Sequence, residues 1–140
     1  MAQTTGGALA VLIQGLGLGL AVGRDYPSQN ASRPYVTITE EIALVPDPLE
    51  DAAPGTAVET VQVDLWQDYR DLKPNSATYG NLRENYTLAP ALRRGLHGVR
   101  LQSIGSAVVY MALVEHSVRL LEEAENVVHH AFTVKVFRQI

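Results

Sequence analysis

The stretch from Val118 to Arg138 constrains this chain more than any other. It reads Val-Arg-Leu-Leu, then Glu-Glu-Ala-Glu-Asn, then Val-Val-His-His-Ala-Phe-Thr-Val-Lys-Val-Phe-Arg. Branched and aromatic residues flank a short acidic turn, the pattern of a β-hairpin with a loop of about five residues. Side chains alternate along a strand, so Val128, His130, Phe132, Val134 and Val136 share one face. That face reads as core. Ala131, Thr133, Lys135 and Phe137 lie on the other, which is only partly polar. A strand apolar on both faces is either central in its sheet or covered by another chain. The rest of the sequence supplies other strands fit for burial, above all Ala107–Val114. Coverage by a partner therefore becomes the preferred account of Phe137.

The chain has 140 residues, the length of one domain, and such a chain buries roughly two-thirds of the surface it exposes when unfolded. One domain over 1–140 is expected, with 1–7 a loose lead-in. Cysteine is absent, which excludes disulfides and thiolate metal sites and fits a reducing cytoplasm. The formal charge of −4 weighs against a general nucleic-acid binder. Ala8 to Val22 is mostly apolar, but the first basic residue is Arg24 and the run is shorter than the ~20 residues that span a bilayer. It reads as a buried helix rather than a signal sequence, and no membrane is implied.

Leu9, Leu12, Ile13 and Leu16 fall at helical spacing, and Gly15, Gly17 and Gly19 weaken any continuation. The Gly-Leu-Gly-Leu-Gly run is not a dinucleotide loop, because a helix precedes it and Asp25-Tyr26-Pro27 follows. Tyr35–Thr39 alternates as a strand that can run on through Ile42 and Leu44. Residues 45–57 carry Pro46, Pro48 and Pro54 beside Asp47, Glu50 and Asp51, so they read as an extended acidic loop. Thr56 to Asp68 is the second strand, with Val61, Val63 and Leu65 on one face and Gln62, Asp64 and Trp66 on the other. Trp66 is then either a cap on the sheet edge or a partner contact. Ala77 to Leu96 is mainly helical, with Leu88, Leu92 and Leu96 in one stripe. Either Thr87 caps a helix with Pro90 in its first turn, or Pro90 kinks one longer helix. Arg93 and Arg94 sit in the last turn, where positive charge suits the helix dipole. Val99–Gln102 and Ala107–Val114 are two further strands, the latter apolar on both faces. The order predicts an α+β fold: a mainly antiparallel sheet of four or five strands, two helices on one face, and a long loop between the first two strands.

No catalytic set emerges. His129 and His130 are adjacent in a strand and point to opposite faces, and no His-Glu-x-x-His or paired-histidine spacing is present. No nucleophile elbow or phosphate loop appears. Glu50-Asp51 and Glu122-Glu123-Glu125 fall in loop or turn sequence and read as solvated charge. No cofactor, metal or catalytic residue is assigned. A small-molecule pocket would have to be built from Tyr110, His116 and His130, the polar ring-bearing residues on the two-sided strands. The profile favours assembly over catalysis, since two-sided apolar strands are costly to leave open.

The order of motifs resembles the tail terminator, or tail-completion, proteins of long-tailed bacteriophages. The resemblance rests on an apolar N-terminal helix followed by Gly23-Arg24-Asp25-Tyr26-Pro27 and on Arg33-Pro34-Tyr35-Val36-Thr37-Ile38 at the first strand. It continues through Val61-Gln62-Val63-Asp64-Leu65-Trp66, Leu92-Arg93-Arg94-Gly95-Leu96-His97-Gly98 and the closing hairpin. It implies a structural virion protein, assembled in the host cytoplasm. It also implies a homo-oligomeric, usually hexameric ring that ends the tail tube, meets the head connector and lets DNA pass through its lumen without sequence-specific binding. A neighbouring neck or baseplate protein is the alternative. The residues expected at subunit or partner interfaces are Pro46, Asp47, Pro48, Leu49, Glu50, Asp51, Trp66, Arg93, Arg94, Lys135 and Phe137.

Overall fold

A computed structural model describes residues 4–27, 32–46, 56–68, 82–102, 108–122 and 125–139. The first element is helix α1, Thr5–Gly15. It starts earlier than the sequence suggests, within the expected lead-in, because Thr4 caps it. Thr4 is extended (φ −136°, ψ 162°) and its side chain accepts a hydrogen bond from the Gly7 amide at 3.0 Å. Gly6 and Gly7 are poor helix formers, which is why the pattern points to a start at Ala8. Beyond the helix, Gly17 and Gly19 take φ of 72° and 70°, conformations that a side chain would strain.

The strands are β1 (Ala21–Arg24), β2 (Tyr35–Pro46), β3 (Thr56–Asp68), β4 (Val109–Glu122) and β5 (Val127–Gln139), with helix α2 (Leu82–Leu96) between β3 and β4. They form one five-stranded sheet in the order β1-β2-β3-β5-β4. Every pairing is antiparallel except that of β1 with β2. The fold is therefore α+β, with both helices packed against one face of a mostly antiparallel sheet. The expected extended loop is shorter than residues 45–57, since Val45 and Pro46 pair with Val58 and Ala57; residues 47–55 lie outside the described residues.

Several expectations change. β5 is interior, flanked by β3 and β4, so its two-sided character follows from position as well as from any partner. Ala107–Val114 and the hairpin's first arm are not separate strands: Val109–Glu122 is continuous, with register shifts at Val109/Met111 and Val114/His116. This strand lies at the sheet edge and is not covered on both faces, since Met111 is 42% exposed. Val99–Gln102 contributes only an isolated bridge, Val99 to Ala112. In α2, Pro90 lies inside a single helix, which settles the choice between the two readings.

The core sits between the helices and the sheet. Leu9 and Ile13 of α1 and Leu92 and Leu96 of α2 meet Ile38, Val61, Val63, Leu65 and Val134, all essentially inaccessible. At roughly 1.5–3 kcal/mol for each buried aliphatic side chain, this layer supplies the dominant folding force. The helices approach closely at Gly95, where a Cβ would come within 2.5 Å of the Leu16 side chain.

Candidate interaction surfaces

The helices cover one side of the sheet only. Alternation on β3 puts Glu59, Val61, Val63, Leu65 and Gln67 toward them. Thr60, Gln62, Asp64 and Trp66 go to the outer face, opposite Lys135, Thr133, Ala131 and His129 of β5. Among the described residues no element covers that outer face. Trp66, Lys135 and Phe137 share it, as three of the expected interface residues. Trp66 is not an edge cap, because β3 is flanked by β2 and β5.

The outer face is ordered around Asp64, which is buried although no described element lies above it. His129 Nε2 lies 2.6 Å from Asp64 Oδ1, and the Gln62 amide donates to both carboxylate oxygens at 2.9 and 3.1 Å. The Trp66 ring stacks on His129 with centroids 3.9 Å apart and planes 8° from parallel. Its Nε1–H donates to Thr37 Oγ1 at 3.0 Å. These contacts fix a flat aromatic platform. Among the described residues His129 bonds no hydroxyl. Further along, Lys135 Nζ donates to Thr60 Oγ1 at 2.8 Å and lies 3.4 Å from Glu115 Oε2. Phe137 is half-buried, opposite Val58 on β3 and Met111 on β4. Register then places Met111, Val118 and Leu120, all exposed, along the outer face of the edge strand.

Arg93 and Arg94 lie elsewhere. They project from the last turn of α2 over a cleft of about 610 Å³ between that helix and strands β3, β5 and β4. Pro90 and Ala89 of α2 and Phe132 of β5 give the cleft apolar walls, and Arg119 of β4 and His130 of β5 sit across from the helix. Arg119 is the cross-strand partner of His130. Burial lowers the His130 pKa from its ordinary 6.5, and the positive charge of Arg119 and then of His129 lowers it further. His129 and His130 do point to opposite faces. So do His116 and His130, since His116 pairs with Thr133 on the outer side and is exposed. The described residues thus give no pocket in which these two converge, as a small-molecule site built from them would need. The Tyr110 side chain lies outside the described ones.

A third polar centre ties the helix layer to the sheet. Glu59, 2% exposed, accepts from Arg138 Nε at 2.8 Å and from the Thr5 hydroxyl. Pro46 ends β2, paired with Ala57. Asp47, Pro48, Leu49, Glu50 and Asp51 lie outside the described residues. Sequence reasoning missed Asp64, His129, Arg119 and Glu59 as members of clusters. The one available signal was the polar alternation Gln62, Asp64, Trp66 on a strand whose other face is apolar.

No family model matches the sequence, and a search of curated proteins finds no match. Among solved structures, a chain from the virion of a native gene transfer agent particle is similar in fold. The TM-score is 0.66 at 15% sequence identity, covering 98% of this chain and 96% of that one.

Proposed function

We propose that the chain is a structural, non-catalytic subunit of a phage-type virion. In this reading it forms a ring, of the hexameric kind that the sequence resemblance implies, which terminates a tail tube and joins it to the head connector. The observation that carries the reading is the fold likeness to a virion chain over nearly the whole of both chains. The outer face, which no described element covers, supports it. An ordered aromatic platform beside exposed Met111, Val118 and Leu120 suits burial against another subunit or tube. DNA would pass through the lumen without base-specific contact, consistent with the net charge of −4.

Light scattering on the size-exclusion peak, alone at high concentration and with purified tail tubes, tests this, followed by electron-microscopic class averages. Rings on the tube ends are expected. A protein that stays monomeric in both conditions refutes the reading. Rings that bind head connectors or baseplates but not tubes would assign it to another position in the virion.

A further inference from the structure

We propose that the arginine-lined cleft between α2 and the sheet is the receptor for the acidic stretch 46–51 of a second copy of this chain. The inference rests on the ring reading and names the contact that would build the ring.

The cleft has the chemistry of a carboxylate receptor. Arg93, Arg94 and Arg119 present planar guanidinium groups, which pair with carboxylates in two-pronged fashion. Among the described residues none of the three forms an ion pair, and no acidic side chain lines the cleft. The depressed His130 pKa reports the same positive field, below the effect of burial. The partial negative charge of about half a unit at the end of α2 offsets only a fraction of three full charges.

Pro46-Asp47-Pro48-Leu49-Glu50-Asp51 is complementary. Its three carboxylates match the three guanidinium groups, and Leu49 with the prolines suits walls made by Ala89, Pro90 and Phe132. A cleft of about 610 Å³ holds a few residues of extended peptide. Duplex DNA, with phosphates spread along a convex rod, could reach it only marginally.

Engaging all three guanidinium groups takes a second copy, because Arg119 lies beyond the backbone reach of the stretch within one chain. Residues 47–55 are tethered at Pro46 and Thr56, at the end of the sheet where Ala57 pairs with Arg138. Arg119 lies opposite His130, which pairs with Leu65, eight residues along β3 from Ala57 and about 26 Å away. A tethered segment of that length reaches out and back by only about 17 Å. A contact between unlike ends of identical chains is heterologous, the kind that closes into a ring when the rotation between neighbours closes.

The test uses the full chain and a fluorescent peptide of residues 44–57 as probe. Anisotropy should show saturable binding that weakens at least tenfold in the double variant Arg93→Glu/Arg119→Glu, with an unchanged circular dichroism melt. That variant should also fail to assemble on tail tubes, and Glu50→Arg/Asp51→Arg in the same chain should restore assembly. Failure of the peptide to bind, or normal rings from the unrescued variant, overturns the inference while leaving the ring reading intact. Arginine-dependent displacement of the peptide by a short DNA duplex, with no rescue by the second pair of substitutions, would mean a phosphate site and also overturn it. A wild-type chain that binds the peptide but never oligomerises overturns the ring reading and, with it, the inference.

Discussion

Arg138→Met would show how strongly the start of α1 is tied to the far end of the sheet. The substitution keeps an aliphatic stem and removes the guanidinium that donates to Glu59 at 2.8 Å. Glu59 would then stay at 2% exposure with the Thr5 hydroxyl as its remaining partner. Leaving one member of a buried ion pair uncompensated costs about 3–5 kcal/mol. Arg138 is itself 17% exposed at its side chain, so the lower half of that range is the better expectation. For a chain of 140 residues the unfolding entropy is about 0.29 kcal/mol per kelvin, so a loss of about 3–4 kcal/mol lowers Tm by about 10–14 °C. Thermal and urea unfolding followed by circular dichroism would measure it. The double variant Glu59→Met/Arg138→Met should recover most of the loss, because an apolar pair of similar volume avoids burying charge. A single variant that loses less than about 1 kcal/mol, or a double variant that loses the sum of the two singles, would refute the claim that the pair is coupled.

Other consequences are more local. Phe137→Asp, on the uncovered face, should cost about 1–2 kcal/mol in urea unfolding yet abolish assembly by light scattering; equal loss of both would make Phe137 core. Trp66→Phe removes the donor to Thr37 and should cost about 1 kcal/mol by urea midpoint, against more than about 3 if the indole were part of the folding core. His130 binds its proton less readily folded than unfolded, so stability is lost as pH falls from about 6.5 toward the lowered folded value and levels off below it. His130→Gln should flatten that slope, and urea midpoints across the interval would show whether it does.

Elements with unbroken alternation were legible from sequence. β3 runs over Thr56–Asp68 as its pattern predicts, and β5 turns Val128, Phe132, Val134 and Val136 to the core. The misreadings have specific causes. β1 is four residues long and pairs in parallel with β2, too short to leave a periodic trace. β4 carries two register shifts, so its outer face takes Met111 and Leu113 before the second shift and His116, Val118 and Leu120 after it. A fixed period of two cannot follow that change, and the strand looks like two. The surfaces were half legible. Trp66, Lys135 and Phe137 share a face because strand parity says so. Asp64 and His129 meet across a ladder and are 65 residues apart. Arg119 joins Arg93 and Arg94 only because α2 crosses β4 and β5, a tertiary fact that no local pattern encodes.

The proposed contact between unlike ends makes one prediction that a symmetric dimer contact would not. A copy lacking the acidic side chains (Asp47→Ala/Glu50→Ala/Asp51→Ala) keeps its cleft but has nothing to insert. A copy lacking the guanidinium groups (Arg93→Ala/Arg94→Ala/Arg119→Ala) keeps its acidic stretch but has nowhere to receive one. Each should be monomeric alone, since every junction needs one half of each kind. Mixed in equal amounts they can form a single junction, with the acidic stretch of the second in the cleft of the first. Both outer ends of that pair are then disabled, so growth stops at two subunits. Light scattering of the mixture should therefore give a one-to-one dimer where the wild type gives rings. Rings from the mixture would show that other surfaces, such as the Trp66 platform, hold the assembly without this junction. A mixture that stays monomeric would show that the acidic stretch and the cleft do not meet.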